Sequence, residues 1–200
     1  MVPAQRILIL LFHPLFHKSR VHRRLVEAVE GLDGIMLRNM YDLYPDFYID
    51  VKTEQRLLQE YDLIIWQHPL YWYSSPSLLK EWIDLVLEHG FAYGKNGRAL
   101  EGKRVMSVIS TGGRRETFFT EGANRYSIRD LLAPFDQTVS LCRMEYLPPY
   151  VVHGTHLLEE GGILRASENF RQVMVMLRDG AYDPAGKELE YMNELIQIQS

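Results

Sequence analysis

Apolar positions along the chain fall into two patterns. Continuous runs at Arg6-Ile-Leu-Ile-Leu-Leu-Phe12, Asp62-Leu-Ile-Ile-Trp-Gln67 and Arg104-Val-Met-Ser-Val-Ile-Ser110 are too short for ordinary helices and predict strands buried on both faces. Weaker runs at Ile35 to Met40 and Thr138 to Cys142 bring the expected strands to five. Between them, Ser19 to Glu30, Val51 to Glu60, Leu78 to Glu88 and Arg125 to Leu132 carry helical spacing, and a last helix is expected around Ser167 to Arg178. Strand and helix alternate. Such alternation implies right-handed crossovers and an open parallel sheet covered on both faces, here of order 2-1-3-4-5.

Composition narrows this picture to a single domain. The chain has 200 residues, 46% hydrophobic and 24% charged, without repeats, low-complexity stretches or long linkers. Residues 1–180 are expected to form the domain, and 181–200 a polar tail that packs as a helix or extends to a partner. A formal charge of −4 with no run of basic residues argues against nucleic acid. The uncharged stretch Ile7 to Leu15 is far below the ~20 residues of a membrane span and lacks a signal cleavage site, so a soluble, cytoplasmic protein is expected. The single cysteine, Cys142, excludes internal disulfides and thiolate-rich metal sites. Placed at the end of the fifth strand, it reads as a small buried hydrophobe.

In an open α/β sheet a ligand sits beyond the carboxyl ends of the strands, so the loops after strands one, three and four carry the chemistry. The first, His13-Pro-Leu-Phe-His-Lys-Ser-Arg-Val-His22, runs into a helix at Ser19. Exposed N–H groups there, with Lys18 or Arg20 nearby, suit a phosphate, and Ser19 equally suits a helix cap. His13, His17 and His22 have no carboxylate at matching spacing and read as loop donors, not metal ligands. The second loop, Gln67-His-Pro-Leu-Tyr-Trp-Tyr-Ser-Ser-Pro-Ser77, crowds three aromatics together, as either a wall for a flat ligand or a lid on the core. The third, Ser110-Thr-Gly-Gly113, lets backbone approach a ligand closely. Gly97-Arg-Ala-Leu-Glu-Gly-Lys103 imitates a phosphate loop, but Arg104 replaces the required Ser or Thr and a strand follows instead of a helix.

Together His13-Pro with Ser19, Tyr44-Pro-Asp-Phe-Tyr-Ile-Asp50, Gln67 to Ser74, Leu79-Lys-Glu-Trp82, Gly90-Phe-Ala-Tyr-Gly94 and Ser110 to Gly113 resemble the flavodoxin-like NAD(P)H:quinone oxidoreductases. Ala123 to Ser127, Leu132 to Phe135 and Tyr146 to Tyr150 are similar to the bacterial branch of general-stress oxidoreductases and ancillary proteins of glutathione-regulated potassium efflux. The resemblance implies a flavodoxin-like sheet and a flavin, FMN with FAD as the alternative. It implies phosphate contacts at His13, Ser19, Arg20, Val21 and His22, a ring wall at Pro69, Leu70, Tyr71 and Trp72, and backbone contacts at Ser110, Thr111, Gly112 and Gly113. Two departures stand out: His22 and Ser110 replace the more usual Asn and Thr. Animal members place Tyr and His after the glycines to relay a proton, where this chain has Phe118 and Asn124, which shifts that role to Tyr126, Asn124 or solvent.

The activity so implied is ping-pong transfer of two electrons from NAD(P)H to quinones. A homodimer is implied as well, with Tyr41 to Tyr48 as a candidate contact. Two other readings are a regulatory subunit docked on a potassium-efflux protein, peripheral at the inner face of the membrane, and a flavodoxin-type carrier, which the mild charge disfavours.

Overall fold

The computed structural model describes residues 4–119, 122–182 and 189–197. Its strands are β1 (Ile7–Leu11), β2 (Ile35–Asn39), β3 (Leu63–Pro69), β4 (Arg104–Ser110), β5 (Glu145–Tyr146) and β6 (Tyr150–Val152). Its α-helices are α1 (Arg20–Val29), α2 (Met40–Leu43), α3 (Val51–Glu60), α4 (Ser77–Val86), α5 (Ile128–Leu131), α6 (Ala133–Leu141), α7 (Glu160–Arg178) and α8 (Glu194–Gln197). All strand pairs are parallel, in the order β2-β1-β3-β4-β5, with β6 also on β4. This is the flavodoxin-like α/β sheet that the strand–helix alternation predicts.

Alternate residues of each buried run face opposite sides, so one run feeds two cores. Leu8, Leu10, Phe12, Ile64, Trp66, Val105 and Ile109 meet helices α2 to α6. Ile7, Ile9, Leu63, Ile65, Met106 and Val108 meet α1 and α7, the two helices that pack most closely on each other. Under α3 the Glu54 carboxylate is 1% exposed, and accepts from Arg38 Nη2 at 2.6 Å, Tyr44 Oη at 2.8 Å and Trp82 Nε1 at 3.1 Å.

The fifth strand is not where the hydrophobic run suggests. Thr138 to Cys142 belongs to α6 and its C-cap, and the buried positions Phe135, Val139 and Cys142 recur at i, i+4 and i+7, a helical stripe. The strand lies later and is split at Leu147-Pro-Pro149 into β5 and β6, because neither proline can donate to the ladder. Cys142 is buried at the helix end, where desolvation pushes its thiol up to about 11. The last long helix begins at Glu160, with Gly161 and Gly162 inside its first turn. The expected helix from Arg125 shrinks to Ile128–Leu131, started by a reciprocal Ser127–Asp130 capping box. Of the segment 181–200, Tyr182, Leu189, Tyr191, Met192 and Leu195 are all buried against the domain.

Candidate functional site

The carboxyl ends of the central strands are arranged in steps. Phe12 N–H donates to the Gln67 carbonyl, Leu70 N–H to that of Ser110, and Thr111 N–H to that of Val152, at 2.8, 2.8 and 2.9 Å. Each loop therefore leaves the sheet beside the next, and four of them surround a cleft of about 380 Å³.

The first loop ends at Ser19, whose Oγ accepts from His22 N–H at 3.1 Å and starts α1. The cap leaves other first-turn N–H groups of this ten-residue helix facing outward, with Lys18 and Arg20 on the cleft rim. The histidines turn inward instead. His22 is completely buried: its Nδ1 takes a hydrogen bond from Gln67 Nε2 at 3.2 Å, so its protonated Nε2 donates to Ser110 Oγ at 2.9 Å. Its pKa lies well below the usual histidine value, by desolvation first and then by the neighbouring His13 and His68. The expectation that His22 donates to a phosphate is therefore corrected. The side chain ties the first loop to the third from below and does not line the cleft.

His13 lines the cleft, stacked edge-on against His22 and Tyr71 at 5.1 and 6.3 Å. Its Nδ1 accepts from Leu15 N–H, and burial holds its pKa down at about 4, so at neutral pH it offers a neutral N–H and no charge. Of the three loop histidines only His17 is exposed.

The second loop carries a tight hairpin. Tyr71 and Ser74 exchange both backbone hydrogen bonds, at 3.1 and 3.0 Å, around Trp72 and Tyr73, whose φ angles are 48° and 63°. Two left-handed residues in sequence make a type I′ turn, a place for Asn-Gly. A bulky L-residue there costs roughly 1–2 kcal/mol. Burial does not offset this strain, since Trp72 is 93% exposed. The turn presents aromatic faces to solvent at the cleft mouth, the arrangement expected where strain serves a ligand. Pro69, Leu70 and Tyr71 line the cleft proper, and Leu70, Trp72 and Tyr73 line an adjoining recess of about 240 Å³ with Thr111, Gly113, Phe118 and Asn124.

The third loop divides the two spaces: Ser110 and Gly112 face the cleft, Thr111 and Gly113 the recess. The two glycines differ in the space around them. A Cβ on Gly112 would lie 2.9 Å from His156 Cδ2, and one on Gly113 would lie 2.8 Å from Phe118 Cε2. Asn124 reaches the recess with its amide donating to Thr117 Oγ1 at 3.0 Å. Tyr126 lines neither space and is 54% exposed, so the structure does not bring it to the candidate chemistry.

Sequence reasoning missed the fourth wall, Thr155 and His156, because it follows the misplaced fifth strand. The His-Gly-Thr-His run at 153–156 was its only available signal. This loop is laced to the third by Gly154 N–H to the Gly113 carbonyl at 2.9 Å and Thr155 N–H to that of Thr111 at 3.1 Å. Leu15 on the first loop was missed too. The false phosphate loop is explained by its surroundings: Gly97 O accepts from Arg143, and β4 follows directly.

Comparison with known proteins agrees with this fold. Residues 5–174 match the family model described as the flavodoxin-like fold. General stress protein 14 of Bacillus subtilis (strain 168) is 50% identical over 151 residues, 76% of this chain and 86% of the relative. The glutathione-regulated potassium-efflux system ancillary protein KefF of Enterobacter sp. (strain 638) is 41% identical over 166 residues, 83% and 93% of the two chains. Among solved structures, general stress protein 14 from Treponema denticola in complex with FMN superposes with a TM-score of 0.79 at 33% identity, covering 88% of this chain and 99% of that one. An NADPH-quinone reductase from P. pentosaceus gives 0.76 at 34%, covering 84% and 96%. With its strand order, its rim of loops and a match running through most of its length, the chain belongs to the family of flavodoxin-like fold proteins.

Proposed function

We propose that this protein is a flavin-dependent oxidoreductase that holds FMN in the cleft and passes two electrons from NAD(P)H to quinones or related flat acceptors. The observation that carries the reading is the cleft itself. It joins a helix N-terminus with two rim cations to an aromatic wall and a pair of glycines whose missing side chains leave the backbone open to a ligand. That polarity, anionic-friendly at one end and flat and apolar at the other, fits a flavin mononucleotide. The named relatives and the FMN complex from Treponema denticola support it.

Bound FMN would supply the hydride chemistry, which is the cofactor's own. The chain's residues bind and orient. Ser19, Lys18, Arg20 and Val21 at the start of α1 would hold the phosphate, while Pro69 to Trp72 and the backbone of Ser110 to Gly113 would flank the ring. With the flavin in the cleft, nicotinamide and quinone would both reach it through the one recess between Trp72, Phe118 and Asn124 and take turns there, which is ping-pong kinetics. Phe118 is 3% exposed and carries no proton. Asn124 orients the acceptor through its amide, and solvent at the open mouth supplies protons.

Purified protein reconstituted with FMN and treated anaerobically with NADPH should lose its flavin absorbance and regain it with a benzoquinone. Initial rates at several quinone concentrations should give parallel double-reciprocal lines. Bound flavin that NADPH does not reduce would favour a second reading, an ancillary subunit of a potassium-efflux system, which the resemblance to KefF supports. Absence of flavin binding would end both flavin readings.

A further inference from the structure

The family match ends at residue 174, and the Treponema denticola structure is matched over 99% of its own length but only 88% of this chain. Residues 189–197 lie beyond the family match, yet they are tied into the domain at three levels. Along the sheet edge, the Asn193 side chain pairs with both polar groups of Val151: its Oδ1 accepts from Val151 N–H at 2.8 Å and its Nδ2 donates to the Val151 carbonyl at 3.0 Å. Met192 N–H donates to the Pro149 carbonyl at 2.9 Å. One amide side chain thus takes the place of a further strand beside β6.

Across the edge, neighbouring residues enter opposite cores. Tyr191 joins the core on the α3 and α4 side, and Met192 and Leu195 join the one under α1 and α7. The segment wraps the rim of the sheet instead of lying on one face.

Toward the cleft, Tyr191 heads a row of mutually tilted rings. Its ring is 5.5 Å from that of His153, which in turn is 5.6 Å from that of Phe118. Phe118 is the side chain pressed against Gly113. From the other side, Arg115 lies over the Tyr191 ring at 4.8 Å and forms ion pairs with Glu190 and Glu194. Arg115 belongs to the 3-10 turn Arg115–Thr117 that follows the glycine loop. The segment therefore grips both loops that build the far half of the cleft, one through His153, whose ring passes the contact on to Phe118, and the other through Arg115.

We propose that residues 189–197 act as a strap that sets the spacing between the Thr111–Gly113 and Gly154–His156 walls of the cleft, with Tyr191 as its positioning residue. The proposal rests on the flavin reading for its consequence, ligand affinity, but not for its structural content. Two readouts keep them apart. The first is amide hydrogen exchange of the full-length protein without flavin, followed at Gly154 and Thr155, whose N–H groups bridge the two loops, and at β1 and β3 as internal controls. The second is FMN affinity by quenching of flavin fluorescence.

In Tyr191→Ala, exchange at Gly154 and Thr155 should rise at least roughly tenfold while β1 and β3 keep their protection. FMN affinity should weaken by a similar factor. Tyr191→Phe keeps the ring that makes both contacts and should restore both readouts. Arg115→Ala, a change at an exposed side chain that leaves the core intact, should act in the same direction more weakly, and it carries the test if Tyr191→Ala fails to fold. Unchanged exchange at Gly154 and Thr155 in Tyr191→Ala or Arg115→Ala would overturn the strap. So would a rise that extends equally to β1 and β3, which would make Tyr191 an ordinary core residue. Wild-type protein that shows the exchange pattern but binds no FMN would leave the strap standing and remove the flavin reading.

Discussion

His68 offers a test of how far the site end of the sheet depends on neutral imidazoles. It lies in β3 with no exposed surface, tilted against Phe135 at 5.9 Å, its Nδ1 at 3.0 Å from the Pro69 carbonyl and its Nε2 without a partner. Burial lowers its pKa from 6.5 to about 4. The unfolded chain therefore binds a proton near pH 6.5 that the folded chain refuses until about pH 4. The stabilisation is complete above pH 6.5, falls as the pH drops through that window, and is constant below it. Each pH unit within the window removes ~1.4 kcal/mol, so between pH 6.5 and about pH 5 this one residue accounts for ~2 kcal/mol. That is a large part of a typical stability of about 5–15 kcal/mol.

His22, His13 and His153 are shifted in the same direction by burial and steepen the same slope. His68→Leu, close in volume, loses one hydrogen bond and relieves one unpartnered nitrogen, so at about pH 7.5 it should stay within ~1 kcal/mol of wild type. In urea titrations at about pH 5 it should be more stable than wild type by ~2 kcal/mol, with the same slope against urea. Parallel losses in the two proteins between these pH values would refute the reasoning.

Three further outcomes follow from single contacts. Gly113→Ala meets the buried ring of Phe118, whereas Gly112→Ala meets only the exposed side chain of His156, so thermal melting should show the first to be worse by roughly 1–3 kcal/mol. Glu54→Ala leaves the half-buried Arg38 and the buried Trp82 Nε1 and Tyr44 hydroxyl without their acceptor and should lower stability by about 2–4 kcal/mol in urea, with Glu54→Gln less damaging because it keeps the hydrogen-bonding shape. Trp72→Gly removes the left-handed strain of an exposed side chain and should raise stability by roughly 1 kcal/mol while slowing quinone reduction, measured as melting temperature against steady-state rate.

Much of the fold was legible because β1, β3 and β4 are buried on both faces and leave unbroken apolar runs in the sequence. The loops after them were legible for the same reason: once the strands are placed, topology assigns the rim. Two signals misled. The β-branched look of Thr138-Val139 concealed a helix whose burial repeats every three to four residues, and the true last strand is too short on either side of Pro148 and Pro149 to show alternation. That displacement carried Thr155 and His156 out of view. His22 was misread for a different reason. The residue type suits a surface donor and a buried connector equally, and only the partners Gln67 and Ser110, distant in sequence, decide between them.

The Asn193 clamp has a consequence for how copies of this chain can meet. A parallel sheet has two edges, and here the β6 part of one is already occupied by a side chain from its own protein. At the opposite border β2 carries no such clamp among the described residues, and Met36 and Leu37 are exposed along it. A sheet with two open borders can add strands from both sides and propagate without limit. A sheet with one can join a single neighbour and then stop. The clamp thus acts as a stop at β6: a strand arriving there must first displace Asn193, whereas one arriving at β2 meets an open ladder.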